Sequence, residues 1–254
     1  MRNPRCPWWR AGGESFRSDV TPTLCIVVPV LNEAEHLAPR LAALQRFRNR
    51  GARLVVVDGG SDDDTVADAR SHADVVLVAP RGRAAQMNAG AAACATTCAA
   101  DVLLFLHADT RLPEQADVAV QRALLGRHAW GRFDVHIDSG QFLLRLVARL
   151  MNLRSRWSGI ATGDQAMFVR QELFRNVGGF PDIPLMEDIA MSRLLKRHGP
   201  PACLREKVIT SARRWEQHGV WPTVLLMWRL RAAYFFGADP ARLALRYGYR
   251  PRQP

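Results

Sequence analysis

Apolar runs and amphipathic stretches alternate along the first half of the chain. Leu24–Pro29 (LCIVVP) is continuously apolar, the pattern of a strand covered on both faces. From about Ala34, Leu37, Leu41 and Leu44 recur at helical spacing. Leu54–Val57 predicts a second strand, ending at Asp58 and followed by a helix through Val66. Val75–Val78 predicts a third, leading through a Gly-Arg turn into an Ala-rich helix over Ala84–Ala95. Val102–Leu106 predicts a fourth, with a helix after Pro113. This β-α-β-α-β-α-β order argues for a parallel sheet with crossover helices.

After about Gly131 the rhythm changes. Arg132–Ile137 alternates like an edge or mixed-sheet strand. Phe142–Leu153 predicts a strongly apolar helix carrying Arg145 and Arg149, and Glu187–His198 another with Leu194 and Leu195 inward. Ala166–Val169 and Cys203–Ile209 read as short strands. In Val220–Phe236, Trp221, Leu225, Trp228, Ala232 and Phe235 share one helical face, with Arg229 and Arg231 to either side. Leu226, Leu230 and Tyr234 make the opposite face apolar too. Such a helix is either packed all round or has protein on one side and lipid on the other. Its longest charge-free run, Gln217–Trp228, is too short for a membrane span.

At 254 residues the chain fits one large α/β domain or two small ones. The pattern divides it into a Pro-, Gly- and Arg-rich lead-in over 1–23, expected to be disordered, a domain over 24–215, and a basic, Trp-rich helical extension over 216–254. The lead-in has no apolar core of a secretory signal, which points to a cytoplasmic protein. The formal charge of +11 is concentrated late: residues 193–254 carry thirteen Lys/Arg against Glu206, Glu216 and Asp239, a net of +10. Such a block favours polyanions, nucleic acid or an anionic membrane face. The five cysteines are scattered without a CxxC pair, so Cys94 and Cys98 read as small packing residues in a reducing compartment.

The chemistry gathers at the predicted strand ends, where open α/β sheets bind ligands. Leu103–Leu106 runs into His107-Ala108-Asp109-Thr110. His107 and Asp109 are two apart and share a face, so they can hold a divalent metal or a polar ligand; alternatively Asp109 caps the next helix, with Thr110 and Pro113 opening it. Asn32 with Glu35 has the spacing of a capping box. Ser61 reads as an N-cap and Asp62–Asp64 as a helix N-terminus, whereas Asp58, before Gly59 and Gly60, is left at the sheet edge for a ribose or base. Glu187-Asp188 opens a helix, where acids are favoured on dipole grounds alone.

Together PVLNE (29–33), VVDGGSDDDT (56–65), GRAAQMNAGA (82–91), FLHADT (105–110), GDQAMF (163–168) and GGFPDIPLMEDI (178–189) resemble the family 2 glycosyltransferases of the GT-A fold. Within them the motifs resemble the subgroup labelled radical-SAM/selenodomain-associated transferase 2, over about residues 24–250. The resemblance implies a mostly parallel sheet flanked by helices, with amphipathic C-terminal helices, and a nucleotide-sugar donor. Pro29, Leu31, Glu33 and Asp58 then match nucleoside-pocket positions, with Arg83 and Asn88 approaching the base or phosphates. Asp109 matches the D-x-D residue that binds Mg²⁺ or Mn²⁺ against the diphosphate; His107 stands where the family has an acid, and histidine suits Mn²⁺ better. Asp188 matches the general base of an inverting transfer to a hydroxyl acceptor, with Glu187 beside it. Gly163, Asp164 and Gln165 would lie between donor and acceptor. Arg214 and Trp215 match the end of the Q-x-x-R-W motif of processive synthases, but Ser211 replaces its Gln, which favours transfer of a single sugar.

Two other readings are weaker. A sugar-nucleotidyltransferase wants a Gly-rich, Arg-containing loop after the first strand, and PVLNE is not one. A nucleic-acid binder would use the +10 tail but leaves Asp58, Asp109 and Asp188 without a role. The expectation is therefore a nucleotide-sugar donor, a hydroxyl acceptor in lipid-linked or free form, peripheral contact with the inner face of the cytoplasmic membrane, and no nucleic acid.

Overall fold

The computed structural model describes residues 22–249. The lead-in expected over 1–23 therefore lies, but for its last two residues, outside the described residues. Strands β1 (Leu24–Val30), β2 (Arg53–Asp58), β3 (Val75–Val78) and β4 (Val102–Phe105) alternate with helices α1 (Ala34–Arg48), α2 (Thr65–Arg70) and α3 (Arg83–Thr97). β1 pairs in parallel with β2 and β4, and β2 with β3.

The second half is mixed. It runs β5 (Thr110–Arg111), α4 (Ala116–Leu125), β6 (Trp130–Asp138), α5 (Phe142–Ser158), β7 (Phe168–Arg170), α6 (Gln171–Asn176), α7 (Glu187–Lys196), β8 (Ala202–Ser211), α8 (Arg213–His218), α9 (Val220–Phe235) and α10 (Pro240–Arg246). The strands form one sheet in the order β3-β2-β1-β4-β7-β6-β8-β5. β7 is antiparallel to both β4 and β6, β6 and β8 are parallel, and β5 is antiparallel to β8.

The alternation of a strand supplies two cores. Ile26, Val28 and Val30 of β1 pack with Leu37, Leu41, Leu44 and Phe47 of α1 on one face of the sheet. Cys25 and Val27 pack with Ala84, Met87 and Ala91 of α3 on the other. Each such buried aliphatic or Phe side chain contributes about 1.5–3 kcal/mol of transfer free energy. Gly90 lets α3 lie close: a side chain there would run into Val27 and Val57. A third cluster joins Leu185, Met186 and Ile189 to Leu230, Leu243 and Ala244, so the C-terminal helices α9 and α10 are seated on the start of α7.

Several local expectations give way to longer-range partners. Asn32 and Glu35 form no capping box. Asn32 has a positive φ of 50°, its N–H donates to Ser61 Oγ at 2.9 Å, and its Oδ1 accepts from the Asp62 N–H at 2.9 Å. Ser61 accordingly does not cap α2, which opens at Thr65; Asp63 Oδ1 accepts from the Thr65 N–H at 3.0 Å instead. The helix after Pro113 begins only at Ala116 with Gln115 as N-cap, and Thr110–Arg111 pairs with β8. Asp109 is therefore not a helix cap. The cysteine reading is corrected too. Cys94 is bonded to Cys25, a disulfide between β1 and α3 with both residues fully buried, and Cys98 and Cys203 are free. Unpaired cysteines thus no longer argue for a reducing compartment.

Candidate active site

The C-terminal ends of β1 and β4 open onto a cavity of about 230 Å³. Pro29, Leu31 and Glu33 form one wall, Arg81, Arg83 and Gln86 another, and His107 and Asp109 a third. Tyr249, from the last described residues, closes it. The expected residues Pro29, Leu31, Glu33, Arg83, His107 and Asp109 therefore meet at one place. Asp109 also lines a second cavity of about 410 Å³, with Arg40, Arg111, Thr210 and Arg213, so it stands between the two.

Arg83 is the first residue of α3, and its Nε lies 3.5 Å from Oε1 of the buried Glu187. That carboxylate holds the guanidinium more firmly charged than usual, against the cost of desolvation. Glu187 is thus committed to fixing an arginine of the cavity wall.

Asp188, next in α7, accepts from the Gly163 N–H at 2.9 Å through Oδ2 and from the Ile189 N–H at 2.7 Å through Oδ1. Burial, and then the neighbouring Glu187 charge, push its pKa up to about 6 despite those two donors. Gly163 presents bare backbone to His107, because a side chain there would collide with the imidazole. His107 Nδ1 lies 3.5 Å from Asp164 Oδ1. Burial opposes charging the ring, but Asp164 outweighs it and the His107 pKa rises; His107 in turn outweighs burial at Asp164 and lowers its pKa. The contacts Arg83–Glu187 and His107–Gly163–Asp188 bring Asp188 beside the cavity.

Other expectations are redirected. His107 and Asp109 do not act as a strand-borne pair. β4 ends at Phe105, the chain turns with the Thr110 N–H donating to the His107 carbonyl at 3.0 Å, and His107 engages Asp164. Among the described residues no three His, Cys, Asp or Glu converge on one point as a metal set. Asp109, whose carboxylate accepts among the described residues only from Thr110 Oγ1, at 3.1 Å, fits the other kind of site, in which one or two carboxylates share a cation with substrate phosphates.

Asp58 does not line the cavity. Its carboxylate is spent on its own turn, accepting from the N–H groups of Gly60 at 2.8 Å and Ser61 at 2.9 Å and from Ser61 Oγ. Asn88 does not reach the cavity either: its amide donates to the Phe180 carbonyl at 2.8 Å and accepts from the Phe180 N–H at 2.9 Å. Gln165 is fully buried and clasps its own turn through Thr162, the turn-forming role that its position allowed. Trp215 packs with Ile137, Leu144 and Ala148.

Several residues of the site were missed, Arg81 of the cavity wall among them. Gln86 donates from Nε2 to the carbonyls of Val30 and Val57, both at 2.8 Å, tying the ends of β1 and β2 together under the cavity. Its place one turn after Arg83 was the available signal. Tyr247 lies beneath the Arg214 guanidinium, 3.8 Å from the ring centroid, and Tyr249 lies near Arg81. Nothing in the tail's composition marked these tyrosines. Arg154 of α5 has a buried Nε and Nη2 with no hydrogen-bond partner among the described residues, as has Arg214 at Nε. Burial and the Arg132 charge lower the Arg154 pKa while the Asp188 and Asp164 charges oppose that, so its guanidinium is within electrostatic reach of the same acids. Buried guanidinium donors left open in this way suit an anion.

The family model "Glycosyl transferase family 2" matches residues 25–178. The chain belongs to glycosyl transferase family 2. Its match to a curated relative, described as an uncharacterized glycosyltransferase of Mycobacterium tuberculosis, is 42% identical over 72 residues, 28% of this chain and 31% of the relative. The chain thus spans about a third of the length of the curated relatives it matches. The fold of this family 2 member is similar to that of S. aureus TarS (TM-score 0.58, 16% identity, 75% of this chain and 60% of that one). It is similar also to the mannosyltransferase PcManGT of Pyrobaculum calidifontis, solved with GDP-Man and Mn²⁺ (TM-score 0.59, 20% identity, 93% and 67%). A third is the glucosyl-3-phosphoglycerate synthase of Mycobacterium tuberculosis, solved with Mn²⁺, UDP and glucosyl-3-phosphoglycerate (TM-score 0.51, 20% identity, 74% and 71%). The architecture is the GT-A-like α/β fold.

Proposed function

We propose that this glycosyltransferase moves one sugar from a nucleoside-diphosphate donor, a UDP-sugar first among candidates, to a hydroxyl acceptor with inversion at the anomeric carbon. The observation that carries it is the junction of an arginine-walled cavity at the ends of β1 and β4 with Asp188, a half-buried carboxylate whose pKa is pushed up to about 6. A base with that pKa is ionised near neutrality yet basic enough to take a proton.

Pro29 and Leu31 offer an apolar seat and Tyr249 an aromatic wall for a nucleoside. Arg83, held by Glu187, and the open donors of Arg154 and Arg214 meet the negative charge that builds on the departing diphosphate. Asp109 is the residue that would hold Mg²⁺ or Mn²⁺, whose charge, when bound, offsets that of the leaving group. In the transfer itself Asp188 removes the acceptor hydroxyl proton. The acceptor oxygen bonds to the anomeric carbon, and the bond to the diphosphate oxygen breaks with its electron pair. The Gly163 and Ile189 N–H groups hold Asp188 in place, and the Glu187 charge raises its pKa. Asp164 favours the charged form of His107 beside the same backbone. A single displacement needs no protein nucleophile. A lipid-linked hydroxyl is the acceptor class we favour, from the apolar, basic C-terminal helices.

A thermal-shift screen of UDP- and GDP-sugars, with and without Mn²⁺, tests the donor: binding raises the apparent stability. A Mn²⁺-dependent rise with at least one of them is expected. No rise with any nucleoside diphosphate, alone or with the metal, contradicts the reading.

A further inference from the structure

α5 is held to the domain along one side only. Leu144, Ala148 and Ser155 are buried, and Asn152 exchanges two hydrogen bonds with the Val135 backbone, at 2.8 and 2.9 Å. The other side carries Phe142, Leu146, Leu150, Leu153 and Trp157, all exposed, Trp157 at 94%. Their spacing of four, four, three and four residues makes one continuous stripe. Arg145 and Arg149 stand beside it, also exposed.

α9 repeats the arrangement. Thr223 and Leu230 face the protein, while Trp221, Leu225, Trp228 and Phe235 are exposed on the opposite side. The two helices adjoin where Val220 and Trp215 pack with Leu144, Val147 and Ala148. α5, α9 and α10 contain no acidic residue, and Arg145, Arg149, Arg229, Arg242 and Arg246 are exposed on them. No helix among the described residues is long and apolar enough to cross a membrane.

We infer that α5 and α9 together form a docking surface for an anionic lipid bilayer, lying in the interface plane with their aromatic and leucine stripes among the acyl chains and their arginines at the phosphates. A stripe of this length exposed to water requires a cover. Charge selects the cover: a second copy meeting this face isologously would set arginine against arginine with no acid between them, whereas anionic headgroups complement it. α5 also carries Arg154, whose charge is within electrostatic reach of Asp164 and Asp188, so one helix links the bilayer to the candidate site. That last step rests on the transfer reading; the docking does not.

The test is co-flotation of the full chain with phosphatidylcholine vesicles, with and without phosphatidylglycerol, alongside light scattering and nucleoside-diphosphate binding. The mixed vesicles should bind the protein at least about tenfold better than pure phosphatidylcholine. Leu153→Ser with Trp157→Ser, and separately Leu225→Ser with Trp228→Ser, should each weaken that binding at least about tenfold with circular dichroism and nucleotide binding unchanged. Vesicle binding by a protein that binds no nucleoside diphosphate would support the surface and sink the transfer reading. Failure of the wild type to float with the mixed vesicles overturns the surface. So does flotation indifferent to the α5 changes, or a solution dimer that the same substitutions dissolve.

Discussion

The two halves of the sheet do different work. In the β3-β2-β1-β4 half every pairing is parallel, and β1, β2 and β4 are buried on both faces. That regularity leaves the cavity at the strand ends, with Pro29, Leu31 and Arg83 on elements fixed by burial. In the β7-β6-β8-β5 half pairing is mixed, and what matters is carried on turns and helix starts: Asp164 in a single 3₁₀ turn, Asp188 at the head of α7, and Arg154 on a helix open on one side. The regular half provides a seat for a nucleotide; the irregular half carries the groups that would act on what sits there. Binding and turnover should therefore come apart under mutation.

The largest separation is expected at Asp188→Asn, which removes the base and leaves the cavity wall intact. Turnover should fall by about 10²–10⁴-fold with the nucleotide dissociation constant within about threefold of wild type, measured by diphosphate release and by titration calorimetry. Arg154→Met comes next. Loss of one anion-facing guanidinium should lower turnover by about 10–10²-fold, again with little change in the dissociation constant; equal losses in both would place Arg154 in the seat.

pH sharpens the same contrast. Asp188 must be ionised to accept a proton, and its pKa lies at about 6, so log kcat should fall with unit slope as pH drops below about 6 and level off above it. Nucleotide binding should not follow that limb. Glu187→Gln removes a charge that raises the Asp188 pKa, so the acid limb should move to lower pH. The same change frees Arg83 and weakens donor binding modestly. The smallest effect is expected at Trp215→Phe. That ring packs with Leu144 and Ala148 rather than lining either cavity, so transfer should change by less than about threefold.

The regular half was legible because burial on both faces leaves an unbroken apolar signature, as in LCIVVP and LVVV, and because crossover helices repeat Leu at helical spacing. Its strand ends followed, and with them Pro29, Leu31, Arg83 and Asp109. What stayed hidden depends on partners far along the chain. Asn32 is tied to Ser61 and Asp62, Asn88 to Phe180, and Cys25 to Cys94. None of these has a local pattern, so nearby caps and packing roles looked sufficient. Asp58 looked like a ligand because two glycines follow it. The same glycines bend the backbone so that its N–H groups satisfy the carboxylate. The two-faced character of α9 was readable from spacing, but the open stripe of α5 was not, because an apolar helix alone does not say which side the fold covers.

The central claim is that the cavity seats the donor and that Asp188 stands outside the seat. Its most direct test is calorimetric titration of UDP and GDP with Mn²⁺ into the wild type, Asp109→Ala and Asp188→Asn. The account predicts that one nucleotide binds the wild type and Asp188→Asn within about threefold of each other, while Asp109→Ala loses the Mn²⁺-dependent gain, about tenfold or more. Loss of binding in Asp188→Asn as large as in Asp109→Ala, or a wild type whose binding ignores Mn²⁺ and the Asp109 substitution, would contradict it.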